Sequence, residues 1–235
     1  MSLIFPADRR ILIVCGHYGS GKTEFAVSLA AALAENNTTG YSRLALCDLD
    51  IVNPYFRSRE QTEMLESIGV KVYGGLYGSG TTAEIPEVAA AVRAPLEDND
   101  CFTIVDAGGN DSGVRVLTQF KKYFTPETTF TAMVVNASRP DTADVDGVLF
   151  HMDALQKELG LPVEYLVSNT HMLTYTETSH VERGYKLCRD VSAKIGVPIL
   201  CACYPEKYVS AESLTNIDCP KFPLGMYMRQ SWLDR

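Results

Sequence analysis

The stretch that decides the fold begins at Ile11 and ends at Leu33. An apolar run, Ile11–Cys15, leads into Gly16-His17-Tyr18-Gly19-Ser20-Gly21-Lys22-Thr23. Glu24 follows, and then Phe25, Leu29 and Leu33 recur at i, i+4 and i+8. The octet fits G-x-x-x-x-G-K-[ST] at every fixed position. It lies between a strand-like run and an amphipathic helix, the place a phosphate-binding loop requires. The glycines let successive backbone N–H groups turn inward around phosphate oxygens. The helix behind them adds its positive N-terminal end. Lys22 brings a cation to the β- and γ-phosphates, and the Thr23 hydroxyl is placed to ligate Mg²⁺. The expected nucleotide contacts therefore run from Gly16 through Glu24, with His17, Tyr18 and Ser20 among them.

Such a loop needs acids to manage magnesium and water. Asp106 ends the apolar run Phe102–Val105, as the carboxylate of a Walker B strand does, and is expected to hold Mg²⁺ through water. Asp106-Ala107-Gly108-Gly109 also reads D-x-x-G, which would bring the Gly109 amide to the γ-phosphate. A second run closes with Cys47-Asp48-Leu49-Asp50. Two carboxylates at a strand end beside the loop strand would face the phosphates, Asp48 in the metal shell and Asp50 orienting the attacking water. The alternative for either is a cap on the following helix.

Further runs recur along the chain: Leu44–Cys47, Phe130–Val135, Val163–Val167, Ile199–Cys203 and, more weakly, Val70–Tyr73. They are nearly continuous and rich in Val and Ile, as strands covered on both faces are. Between them lie helical stripes: Val145, Leu149, Met152, Leu155 and Leu159, then Val181, Leu187, Val191 and Ile195, the latter closed by Gly196 and Pro198. Strands alternating with helices predict an α/β fold, a mostly parallel sheet with helices on both faces. One domain is expected over residues 1–235, with Gly74–Gly80 as a loop. Pro220 and Pro223 exclude a long helix from the tail, 219–235, which the pattern does not place.

Composition narrows the function classes. Apolar residues make up 46% and charged residues 21% of the 235, which excludes a disordered chain. The net charge of −8 gives no general attraction to a phosphate backbone, so a nucleic-acid-coating role is disfavoured. No apolar run reaches the ~18 residues of a membrane span. Arg9 and Arg10 precede Ile11–Cys15, but that run is too short for a signal peptide and a Gly-rich turn follows it. Seven scattered cysteines do not form a secreted disulfide framework. These readings predict a cytoplasmic protein without a membrane partner. Cys201 and Cys203 would share one face of a strand, as core residues or as a metal pair, and the core reading is preferred.

On Gly16–Thr23, Asp48-Leu49-Asp50 and Asp106–Gly109, taken in order and through about residue 205 as a pattern, the sequence resembles the ParA/MinD-like ATPases of the SIMIBI class of P-loop proteins. The resemblance implies a parallel sheet, ATP (or ADP) with Mg²⁺, and a homodimer that closes over nucleotide. It implies magnesium-site roles for Thr23 and Asp106, a phosphate role for Lys22 and a water-positioning role for Asp50. The family carries a signature lysine early in the loop that reaches the partner's phosphates, and His17 stands there. A short, mostly neutral imidazole does not replace that charge. Arg57 and Arg59 are candidates to supply it, or they lie on an exposed helix face. An asparagine at the end of the Val163–Val167 strand often reads the adenine edge in that family, which points to Asn169. Its amide offers both a donor and an acceptor, and Asn169 could equally cap the next turn. Thr170 and Met172 stand where a guanine-reading N-K-x-D motif has lysine and aspartate. Cys203–Glu206 is a further base-side loop by similarity alone. His151, His171 and His180 show no ligand spacing with the cysteines and are expected to be structural or surface groups.

The leading expectation is a Mg²⁺-dependent ATPase whose nucleotide state switches conformation or binding to an as yet unidentified protein partner. One rival is an ATP-dependent small-molecule ligase, dethiobiotin-synthetase-like or of the cobyrinic-acid type, with a substrate pocket built from Gly74–Ala83 and Asn110–Arg115. The other is a nucleotide-binding module with negligible hydrolysis.

Overall fold

Near-continuous apolar strands must be covered on both faces, and here they are. The computed structural model describes residues 3–36, 39–50, 61–74, 85–108 and 117–228. Eight strands form one sheet: β1 Ile11–Cys15, β2 Arg43–Leu49, β3 Val70–Gly74, β4 Cys101–Ala107, β5 Thr129–Val135, β6 Tyr165–Ser168, β7 Ile199–Pro205 and β8 Lys221–Leu224. Every neighbouring pair is parallel, in the order β3-β2-β4-β1-β5-β6-β7-β8. The helices are α1 Lys22–Asn36, α2 Thr62–Ser67, α3 Ile85–Glu97, α4 Val145–Leu159 and α5 Thr178–Ile195. Alternation along β1 divides the core. Leu12 and Val14 pack with Phe25 and Leu29 of α1 and Leu65 of α2. Ile11, Ile13 and Cys15 pack on the opposite face with Leu96 of α3, Met152 of α4 and Val191 of α5. This is the α/β fold the sequence predicts, with helices on both faces.

Three details depart from the sequence reading. The second acidic strand is not beside β1, because β4 lies between β1 and β2. The tail, which the prolines leave unplaced in sequence, supplies β8 on the sheet edge. Pro223 is tolerated there because one side of an edge strand needs no ladder donor. Ile195 belongs to the periodic stripe but is exposed, since α5 ends beside it at Gly196 in the left-handed region (φ 78°).

Cys201 and Cys203 are buried with their sulfurs 4.0 Å apart, and all seven cysteines are free. Among the described residues no helix is long and apolar enough to cross a membrane.

Candidate nucleotide site

Parallel strands bring their C-terminal ends to one edge of the sheet, and the loop after β1 is at its centre. Gly19 and Gly21 have φ of +73° and +86°, a region costly for any residue with a Cβ. Space adds a second requirement. A Cβ on Gly21 would lie 2.4 Å from Asn169 Nδ2, and one on Gly19 would lie 2.9 Å from Arg139 Nε. These contacts are hydrogen-bonded ties. Asn169 Nδ2 donates to the carbonyls of Ser20 (2.8 Å) and Gly21 (3.4 Å), and Arg139 Nε donates to the carbonyl of Gly19 (2.8 Å). The ends of β5 and β6 thus hold the loop in shape.

The lysine and the acids converge beneath it. Register pairs Val14 with Asp106 and Asp106 with Asp48, so the two carboxylates are cross-strand neighbours on one face. Asp50 is tied back to the pair, its N–H donating to Asp48 Oδ1 at 3.2 Å. Lys22, Asp48, Asp50 and Asp106 are all buried. Lys22 Nζ donates to the His17 carbonyl at 3.4 Å. Burial holds its ammonium below the ordinary lysine range, opposed by Asp106 and then Asp50. Burial, then Asp48, pushes the Asp106 carboxyl up to about 8, while Lys22 pulls it down. Neither Asp106 oxygen has a hydrogen-bond partner. Two orphaned carboxylate oxygens beside a second carboxylate and a threonine hydroxyl, facing a single ammonium, are the hard oxygen donors a divalent cation takes. The residues fit Mg²⁺.

The other candidates have the following surroundings. Glu24 does not turn its carboxylate to the loop. It accepts from the N–H groups of Tyr227 and Met228, both at 2.9 Å, and from the Ser28 hydroxyl at 3.1 Å. Asn169 does not have its whole amide free for a base edge. The nitrogen is taken by the loop, and Oδ1 is left buried and unpartnered. His171 lies against the loop, with Nε2 3.6 Å from where a Gly21 Cβ would stand, so it belongs to the site's surroundings. His151 packs at a tilt against His17, ring centroids 4.2 Å apart. His180 is structural, its Nδ1 accepting from the Glu177 N–H at 3.0 Å. Tyr18 is exposed on the loop's outer side and Ser20 is buried within it. Gly109, Arg57, Arg59, 75–83 and 110–115 lie outside the described residues.

Arg139 and Asp141 are residues that sequence reasoning missed. Ser138-Arg139-Pro140-Asp141 follows β5, and its only signal is that position after a strand end. The signal becomes legible once β5 is known to neighbour β1.

No family model and no curated protein matches the chain. Solved structures do. The cell division protein FtsY from Thermotoga maritima is 20% identical with a TM-score of 0.54, covering 84% of this chain and 62% of its own. The signal recognition particle 54 kDa protein from Aeropyrum pernix K1, in complex with GDP, is 23% identical with a TM-score of 0.54, covering 84% and 42%. The receptor FtsY from Elizabethkingia anophelis, also in complex with GDP, is 18% identical with a TM-score of 0.50, covering 81% and 55%. At these identities the likeness is one of fold alone, an α/β P-loop NTPase fold, and the chain spans less than two thirds of the length of these proteins.

Proposed function

We propose that this chain binds a purine nucleoside triphosphate with Mg²⁺ and hydrolyses it, and that its nucleotide state sets its conformation or its binding to a protein partner. The observation that carries the reading is the convergence of Lys22, Asp48, Asp50 and Asp106 under the glycine loop, with both Asp106 oxygens buried and unpartnered. The loop's N–H groups and Lys22 would bind the phosphates, and Thr23, Asp106 and Asp48 would hold the metal. Bound Mg²⁺ neutralises phosphate charge that would otherwise oppose attack by water. Asp50 would orient that water. Rate enhancement then comes from positioning and electrostatics fixed in advance. The ParA/MinD-like assignment stays within this proposal. A reducing, cytoplasmic setting suits seven free cysteines.

ATP is the proposed nucleotide. Asn169 keeps only an acceptor, Oδ1, to offer a base, and Thr170 and Met172 bring no carboxylate to pair with the two N–H donors of a guanine edge. GTP is the second reading, favoured by the GDP in two of the structures that share the fold. Parallel titrations with ATP and GTP in Mg²⁺ decide between them. In the same assay Lys22→Ala is expected to weaken binding of the preferred nucleotide by about 2–4 kcal/mol. Unchanged affinity in that variant overturns the site. Phosphate release without any added metabolite separates the hydrolase from a ligase, and none at all leaves a binding module.

A further inference from the structure

Beside the phosphate loop, three side chains from different parts of the chain meet. His17 comes from the loop after β1, Asp141 from the loop after β5, and His151 from α4. One ligand atom from each lies within 4.8 Å of the other two. His17 Nε2 and Asp141 Oδ2 are 3.9 Å apart, beyond hydrogen-bonding distance, and the two imidazole rings stand 4.2 Å apart. His17 Nδ1 is buried with no partner. Among the described residues this is the one such group of histidine, cysteine and acidic side chains. We infer that His17, His151 and Asp141 form a binding site for a transition-metal dication of the Zn²⁺, Co²⁺ or Ni²⁺ kind, separate from the magnesium site at Asp106.

The geometry and the donor set support this together. Three atoms within 4.8 Å of one another share a point no more than about 2.8 Å from each, against ~2.0–2.2 Å for Zn–N and Zn–O bonds. Small side-chain rotations close that gap. Two imidazole nitrogens and one carboxylate select a borderline metal over Mg²⁺ or Ca²⁺, which take oxygen donors. Three protein ligands leave a fourth position open, the arrangement of exchangeable and catalytic sites. The framework is already fixed. The Arg139–Gly19 hydrogen bond ties the Asp141 loop to the His17 loop, and α4 is N-capped by Asp144, whose carboxylate accepts from the Gly147 N–H at 2.8 Å. A metal at His17 would place a fixed dication on the phosphate loop, at the position where a neutral imidazole otherwise stands. If the loop holds a nucleotide, as proposed above, metal and nucleotide affinities are then linked by the same factor in both directions.

The test uses the whole chain, reduced and free of nucleotide and Mg²⁺, titrated with Zn²⁺ alone and followed with Co²⁺ by absorption. The expected result is one equivalent bound per chain, weakened roughly tenfold or more in His151→Ala and in Asp141→Asn. The Co²⁺ spectrum should lack a thiolate charge-transfer band, and the double variant Cys201→Ser/Cys203→Ser should bind as the unaltered chain does. Asp141 is exposed, so its variant keeps the test open even if His151→Ala folds poorly. The inference is overturned by the absence of stoichiometric binding. It is equally overturned by binding that survives both His151→Ala and Asp141→Asn, or that disappears with the cysteines. Nucleotide titrations in Mg²⁺ on the Zn²⁺-free chain are independent of all these outcomes, so failure of the metal site and failure of the nucleotide site are told apart.

Discussion

Asn169 Nδ2 donates to the carbonyl of Ser20 at 2.8 Å, fastening the end of β6 to the phosphate loop across 149 residues of sequence. The amide is buried, so the bond sets the loop's shape more than it serves solvent contact. Replacing it leaves a buried carbonyl without its donor, which costs about 1–3 kcal/mol. Asn169→Ala should therefore lower the urea midpoint by a corresponding amount and weaken nucleotide binding with it. An unchanged midpoint would show that the tie contributes nothing.

Glu24 is a latch for the tail. Its two oxygens accept from Tyr227 and Met228, and burial raises its carboxyl above the ordinary range while those N–H donors and Ser28 lower it. Glu24→Gln turns one acceptor into a donor facing a donor, a loss of about 1–3 kcal/mol. The expected outcome is faster hydrogen exchange at Tyr227 and Met228 with nucleotide affinity nearly unchanged. A selective loss of nucleotide binding would return Glu24 to the phosphate site.

Asp50 separates binding from turnover. Asp50→Asn keeps the side-chain shape and removes the carboxylate that would orient water, so binding should persist while single-turnover phosphate release falls by roughly 10²-fold or more. Release at the original rate means another group positions the water.

His171 gives the site a dependence on acid. Burial, and then the charge of Arg139, hold it down to about 4. Its Nδ1 accepts from the Leu173 N–H at 3.4 Å, a contact that protonation destroys. The unfolded chain takes up this proton near pH 6.5 and the folded chain only near pH 4. Between those values the unfolded state binds more protons, so stability is fully present above pH 6.5 and is lost as the pH falls to 4, by up to about 3 kcal/mol. His171→Asn keeps an acceptor there without the titration, and its stability should fall less steeply across that window in urea melts. Parallel slopes in the two proteins would remove His171 as the cause.

What the sequence determined by itself is local. The glycine loop, Lys22 and Thr23 are legible because strand, loop and helix are contiguous, and the chemistry depends on spacing within eight residues. The strand runs are legible because burial on both faces leaves an apolar run in the chain itself. Asp48, Asp50 and Asp106 are found as strand ends, but their mutual placement is not. Only the sheet order, with β4 between β1 and β2, decides that Asp106 and Asp48 stand side by side, so that Asp48 raises the cost of ionising Asp106. The fate of Glu24 depends on a tail 204 residues away, whose Tyr227 and Met228 follow an edge strand that forms in spite of Pro223. His17, Asp141 and His151 share no spacing rule, and they meet because β1 and β5 are neighbours and α4 packs over both. Local pattern records which face of each element is apolar. Which element covers that face is settled only when all the faces are packed at once.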